Sequence, residues 1–312
     1  RISLKSIIHD INSIQNYKSS EKLSRTFSIV VCYRPDIELL NQLCEKLIID
    51  GSRVVLVDNT ETPYLEQGIL PEGCQFITLG CNKGIAHAQN IGIDVAIQEG
   101  GEIIVFFDQD SQIEPGILKS LVSELIIGEP NIVSPRCVDN ISHTELPALT
   151  VNRYGMAKSK FYHGATSPYL VDIIISSGTT VTKEVFQIVG GFDEDLFIDY
   201  VDTEWCLRCR EKNIPIRVVP SAVMYHRIGM SSVKMGLITV QVHSPERCYY
   251  QIRNSFSLFR RSHVPFIFAS QSIIYTLVNR FFLLFIVKQK SIYMRTFLRA
   301  ISDGLMGVIG PK

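Results

Sequence analysis

Two carboxylates one residue apart, Asp108-Gln109-Asp110, close the apolar run Glu102 to Phe107. Placed at a strand-to-loop exit, both can face a hard divalent cation such as Mg²⁺ or Mn²⁺, which keeps open positions for phosphate oxygens. The alternative is a solvated turn, and the position beyond a buried strand favours the cation. Asp58 closes a second run, Arg53 to Val57. It suits a nucleobase edge or a ribose, and it suits equally well the role of a turn former. Asp199, Asp202 and Glu204 crowd a helix entrance that leads to Trp205, the one tryptophan of the chain. Acids at a helix start usually cap it and complement its dipole. Asp202, in an aromatic-rich segment, is the one that could serve as a general base if partly desolvated; Asp199 and Glu204 read as the structural members. His226 leaves a strand into Arg227–Ser231. It could ligate a metal or bind phosphate, although a lone histidine is usually structural.

Asn82-Lys83-Gly84 opens a helix lined with small residues, Ala88 and Gly92 among them. A helix N-terminus with a lysine beside it attracts anions, and the same glycines permit close helix–sheet packing. Neither common phosphate-loop pattern is matched. Cys206-x-x-Cys209 has no second pair at zinc spacing, so it reads as two small residues on one helix; the eight cysteines show no disulfide framework and point to a reducing setting.

These residues need elements to hold them, and the sequence supplies an alternation. Strands are predicted at 27–33, 53–57, 75–79 and 102–107, and helices at 37–50, 84–98 and 115–127. Near-continuous apolar strands alternating with amphipathic helices indicate an α/β fold with a mostly parallel sheet covered on both faces. In such sheets ligands sit beyond the carboxyl ends of the strands, where Tyr33-Arg34-Pro35, Asp58 and Asp108–Asp110 collect. The stretch 139–168 reads as a long functional loop. A strand is expected at 169–177, ending in Ser177-Gly178, then helices at 183–189 and 202–212 and strands at 216–219 and 222–225.

The chain has 312 residues, 46% of them hydrophobic and 20% charged, which excludes disorder and coiled coil. Thirty-one basic residues balance thirty-one acidic ones, which argues against a general nucleic-acid binder. From Glu246 to Lys312, however, ten Lys/Arg face two Asp/Glu, a net of +8, leaving −8 on residues 1–245. The organisation read from this is an amphipathic extension (1–25), an acidic α/β body (26–245) and a basic, apolar helical tail (246–312).

In their order along the chain these motifs resemble the family-2, GT-A type inverting glycosyltransferases. The resemblance runs from Phe27 to about Asn254, and it implies that 26–245 is a GT-A catalytic domain with a nucleotide-sugar half (26–135) and an acceptor half (136–245). It rests on Tyr33-x-Pro35, Val57-Asp58-Asn59, Asn82-x-Gly84, Asp108-x-Asp110, Ser177-Gly178, Gly191-Phe192-Asp193-Glu194, Asp202-x-x-x-Cys206-Leu207-Arg208 and His226-x-x-Gly229-x-Ser231. Phe106–Ser111, Asp202–Trp205 and Tyr249-Tyr250-Gln251-x-Arg253-Asn254 look most like bacterial rhamnosyltransferases of O-antigen or capsular polysaccharide, which use dTDP-β-L-rhamnose. The resemblance implies that Tyr33, Pro35, Asp58, Lys83, Gly84, Asp108 and Gln109 face the nucleotide sugar. It implies a metal at Asp108, Asp110 and His226, acceptor contacts at Ser177, Gly178 and Trp205, and Asp202 as the base. The family often has Glu-Asp where this chain has Val201-Asp202, which puts acceptor contacts in doubt more than catalysis.

The expected activity is therefore metal-dependent transfer of L-rhamnose to a saccharide, lipid-linked at the cytoplasmic face of the bacterial inner membrane. A UDP-hexose donor, a non-catalytic nucleotide-sugar or polysaccharide-binding protein and, more weakly, a nucleotidyltransferase are the alternatives. For the apolar stretch Val264–Val287 three placements are open: a spanning helix interrupted by Arg280, helices lying on an anionic leaflet, or a buried helical domain or homodimer interface.

Overall fold

The apolar runs become neighbouring strands. The computed structural model of the chain describes residues 19–61, 70–140, 143–226, 232–235 and 238–312. Its first half alternates β1 (Thr26–Cys32), α1 (Ile37–Ile49), β2 (Arg53–Asp58), β3 (Cys74–Thr78), α2 (Ile85–Gln98) and β4 (Ile103–Asp108). Helix α1 shows why: Asp36 caps it by accepting from the amides of Glu38 and Leu39, and Leu40, Leu43, Cys44 and Leu47 form one buried stripe at helical spacing.

Strands β3, β2, β1 and β4 lie side by side and parallel. The sheet continues through β11 (Thr180–Thr182), β6 (Ile132–Asp139), β12 (Ile216–His226) and β10 (Tyr169–Val171). β11 and β10 run against their neighbours, while β6 and β12 pair in parallel. The short β5 (Gln112–Ile113) and β7 (Glu145–Leu146) pair at the margins of β12 and β6.

Alternate residues of each strand serve opposite faces. Val30, Leu56 and Val105 pack with α1 and α3 (Ile117–Ser123). Ile29, Val55 and Phe106 pack with α2, α4 (Lys183–Val189) and α5 (Val201–Glu211). A third cluster joins Phe197 to α6 (Pro245–Ser257), α7 (Phe266–Ile286) and α8 (Lys290–Met306).

Several expectations are corrected. The stretch 139–168 carries β7, β8 (Ala148–Val151) and β9 (Ala157–Lys160), the last two forming a hairpin. The strand expected over 169–177 ends at Val171. The two strands expected around Pro220 are one strand, β12, with a register shift between Val219 and Val223. β6 lies within the sheet where no element was expected, because Ser134, Pro135 and Arg136 interrupt its apolar run. Most of the 1–25 extension lies outside the described residues.

The basic tail is docked onto the acidic body. Arg247 pairs with Asp199 at 3.1 Å, Arg261 with Asp193 at 2.6 Å, and His263 lies 2.8 Å from Glu204. Tyr200 shares a 2.7 Å hydroxyl bond with Thr276 of α7. Helix α7 is long and apolar enough to cross a membrane by length and composition. One of its faces, however, is buried at Phe268, Thr276, Asn279, Arg280 and Leu283. Arg280 donates to Asn279 and to the Cys248 sulfur inside the protein. A spanning placement would strip these contacts.

Candidate active site

The strand register sets the site. Cys32 is level with Asp58, and Val31 is level with Asp108, so the two carboxylates leave the sheet on either side of β1, one step apart. Asp58 is fully buried; its Oδ1 accepts the Thr60 amide at 3.0 Å and its Oδ2 has no hydrogen-bond partner among the described residues. A buried oxygen left open is costly unless a ligand donor meets it. Pro35 lies buried behind this strand end, and Tyr33 is exposed at its rim, its hydroxyl donating to Glu61 at 3.0 Å.

Asn59 and Asn82, which the sequence reading did not single out as ligands, tie the strand ends to α2. Asn59 Nδ2 donates to Asn82 Oδ1 at 3.1 Å, and its Oδ1 accepts the Lys83 amide at 2.7 Å. Asn82 Oδ1 also accepts the Gly84 amide at 3.0 Å. Lys83 is left exposed at the head of α2 while Gly84 is buried. The linear signal for this lattice is only that each asparagine adjoins a strand or helix end.

Gln109 holds the ends of β1 and β4 together. Its side chain accepts the Tyr33 amide at 2.6 Å and donates to the Tyr33 carbonyl at 3.2 Å, so both polar ends are used in clasping β1 to β4. Asp108 is half-buried, and Ser177 joins it to the second half of the chain: the Asp108 amide donates to Ser177 Oγ at 3.2 Å, and Ser177 and Ser111 share a 2.7 Å bond. Gly178 follows with φ of 78°, its amide on the Phe106 carbonyl, and a Cβ there would fall 2.5 Å from the Pro135 ring. Ser177 and Gly178 are both buried, so they build the wall of the site.

Asp110 sits on the turn after β4, bordering a shallow cleft with Gln42 and Lys46 of α1. Among the described residues no third His, Cys, Asp or Glu joins a cluster able to hold a metal. The His226 side chain lies outside the described residues. The donor chemistry of Asp108 and Asp110 nonetheless suits a hard cation, since magnesium sites commonly use one or two carboxylates and take the remaining oxygens from substrate phosphates and water.

Asp202 occupies the first turn of α5, its Oδ1 accepting the Thr203 amide at 2.7 Å. Burial pushes its carboxyl up to about 6, against the Thr203 and Ser176 amides, which favour the charged form; the negative charges of Asp199 and Asp108 add to the rise. Such a group is mostly ionised at neutral pH yet takes a proton readily. Asp58, Asp108, Ser177 and Asp202 are thus brought to one end of the sheet.

Trp205 is not brought there. It is 1% exposed, its indole donates to the Gly190 carbonyl at 3.1 Å, and its ring packs against Phe186 and Phe192. Although it lies one helical turn from Asp202, its ring is enclosed by the aromatic core, which leaves no exposed surface for the acceptor contact expected of it.

A protein-family model described as glycosyl transferase family 2 matches residues 29–188, about half the chain. The dTDP-rhamnosyl transferase RfbF of Shigella flexneri is 38% identical over 288 residues, which cover 92% of this chain and 97% of the relative. The chain belongs to glycosyl transferase family 2. It is a glycosyltransferase, and the strand ends described above lie within the matched family-2 region while Asp202 lies beyond it. Two solved structures share the family-2 chain's GT-A fold. GalNAc-T7 with UDP, GalNAc and Mn²⁺ has a TM-score of 0.55 at 12% identity, covering 89% of this chain and 58% of that longer one. S. aureus TarS 1-349 in complex with UDP-GlcNAc has a TM-score of 0.51 at 17% identity, covering 91% and 81%. At these identities the likeness concerns the fold.

Proposed function

We propose that this family-2 enzyme moves L-rhamnose from dTDP-β-L-rhamnose to a hydroxyl of a saccharide acceptor, inverting the anomeric centre. The observation that carries the reaction type is the placement of the Asp202 carboxyl, on the first turn of α5 and facing Asp108 and the Ser176 amide at the end of the sheet where β2 and β4 stop. The donor is supported by the likeness to a protein named as a dTDP-rhamnosyl transferase.

In this reading Asp58 Oδ2 accepts from the thymine edge or the ribose, Pro35 and Tyr33 flank the nucleotide, and Lys83 lends positive charge to the diphosphate. Asp202 takes the proton of the acceptor hydroxyl as its oxygen attacks the anomeric carbon. The carbon–oxygen bond to dTDP breaks, and its electron pair leaves with the β-phosphate. One displacement inverts the centre, so a β-linked donor yields an α-rhamnoside. Asp108 and Asp110, with His226, would hold a divalent cation, Mg²⁺ or Mn²⁺, which when bound neutralises charge on the departing diphosphate.

We propose also that the acceptor is lipid-linked and that the tail lies on the membrane. Phe266, Tyr275, Phe281 and Phe285 of α7 are exposed, and Lys288, Lys290 and Arg295 follow within ten residues of Phe285. An apolar face beside cations suits the anionic leaflet of the inner membrane.

A UDP-hexose donor is the second reading, favoured by UDP and UDP-GlcNAc in the two structural neighbours. Thermal-shift and donor-hydrolysis assays with dTDP-rhamnose and UDP-hexoses, each with and without Mn²⁺, separate them. Preference for dTDP-rhamnose is expected. Response to a UDP-sugar alone overturns the donor, and response to none overturns the site.

A further inference from the structure

We propose that Asn254, with Arg253 beside it, is a positioning residue for catalysis: from helix α6 it fixes the left-handed backbone run that presents Asp202. This rests on the reading of Asp202 as the base. Phe197, Asp199 and Tyr200 have φ of 66°, 63° and 65°. Three non-glycine residues in this region within four positions are strained, and strain of this kind persists only where the surroundings over-determine the backbone. The run leads directly into α5, whose second residue is Asp202.

Much of that determination comes from one side chain. The Asn254 amide nitrogen lies 2.8 Å from the Leu196 carbonyl, 2.8 Å from that of Ile198 and 3.0 Å from that of Asp199, so its two hydrogens serve three acceptors around the strained positions. Its own oxygen accepts from Arg253 Nε at 2.9 Å, which fixes which way the amide faces. Arg253 donates to the carbonyls of Asp195 and Leu196, each at 3.1 Å, and to that of Gly310. Both residues are essentially buried, at 0% and 1% exposure. Phe197 stacks on Tyr250 at 4.7 Å, and Arg247 and Gln251 hold the Asp199 carboxylate.

Helix α6 is therefore part of the apparatus that aims the base. Most of the donor side is held by other contacts: Asp58 and Asp108 sit on β2 and β4, and the Lys83 amide is fixed by Asn59, while the Ile85 amide on the Phe197 carbonyl links α2 to the run. A side chain needed only for folding would, when altered, weaken donor binding and turnover together. A positioning side chain would lower turnover and leave nucleotide affinity in place.

The test compares Asn254→Asp, which keeps the shape but loses the two donated hydrogens, with Arg253→Lys. Acceptor kcat and KM, calorimetric Kd for dTDP (or UDP, whichever the wild type binds) and amide hydrogen exchange over 197–203 are read together. Expected is a loss of kcat of about 10–100-fold, the scale of a misplaced catalytic group. Nucleotide Kd should stay within about twofold, with exchange over 197–203 faster by roughly tenfold. Unchanged kcat with unchanged exchange overturns the proposal. So does loss of kcat and nucleotide binding in parallel in both variants. Asp202→Asn is assayed alongside: if it keeps full activity the base reading fails, whereas the exchange result still reports on whether Asn254 holds the loop.

Discussion

Gly84 and Phe197 meet at backbone distance. The Ile85 amide donates to the Phe197 carbonyl at 2.8 Å, and a Cβ on Gly84 would fall 2.6 Å from that same oxygen. Gly84 has φ of 89° and heads α2 in the first half of the chain, while Phe197 opens the run leading to Asp202 in the second. The joint between the two halves is thus a contact that only glycine permits. Gly84→Ala is expected to cost about 2–4 kcal/mol through strain and overlap. Denaturant titration reads the loss, and a full-stability alanine variant would show that the contact is loose.

Asp202 should also be a stability liability. Its folded-state carboxyl, near 6, binds a proton more tightly than the unfolded value of 3.8, so its favourable contribution is present below that lower value and is lost as pH rises toward 6. Above pH 6 the ionised, crowded carboxylate costs up to roughly 3 kcal/mol. Asp202→Asn is therefore expected to unfold at higher urea than wild type at pH 8, with a smaller gain at pH 5. A variant less stable than wild type at pH 8 contradicts this.

Glu204, two residues on, behaves oppositely. Burial pushes it up, but His263 and Arg208 outweigh burial and hold it below the usual glutamate range. Arg208 Nη2 donates to Oε2 at 2.9 Å, whereas His263 Nε2 approaches Oε1 at 2.8 Å without hydrogen-bond alignment. The ionised group contributes stability above the ordinary glutamate value that disappears as pH falls through its lowered one. Glu204→Gln should cost about 3–5 kcal/mol at pH 7, as breaking a buried pair does, and should flatten the acid side of the stability profile. An unchanged profile would show that the cluster is solvated.

These three sites show how much the linear chain discloses. The runs at 27–33, 53–57 and 102–107 announce β1, β2 and β4 because strands covered on both faces need apolar residues at every position, and the acids that end them come together at one end of the sheet. Pro135 hid β6, since proline argues against an interior strand. Trp205 lies one helical turn from Asp202, and that spacing does not distinguish a ring at the site from one buried in the core beside it. The Asn254 amide meets carbonyls 55 to 58 residues away, a relation no spacing encodes.

The exposed face of α7 leads to a separate expectation. Vesicles containing phosphatidylglycerol should co-sediment the protein, neutral vesicles should not, and a Phe281→Ser/Phe285→Ser variant should remain in the supernatant while keeping its nucleotide affinity. Equal recovery from neutral and anionic vesicles, or retention by the serine variant, would remove the membrane from the account.

Direct displacement aided by Asp202 is tested most simply by the turnover of Asp202→Asn with dTDP-rhamnose and a saccharide acceptor, its nucleotide Kd checked in parallel. The predicted result is a fall in kcat of about 10²–10⁴-fold, the usual worth of a positioned general base, with nucleotide binding intact. A kcat within a few-fold of wild type would contradict it.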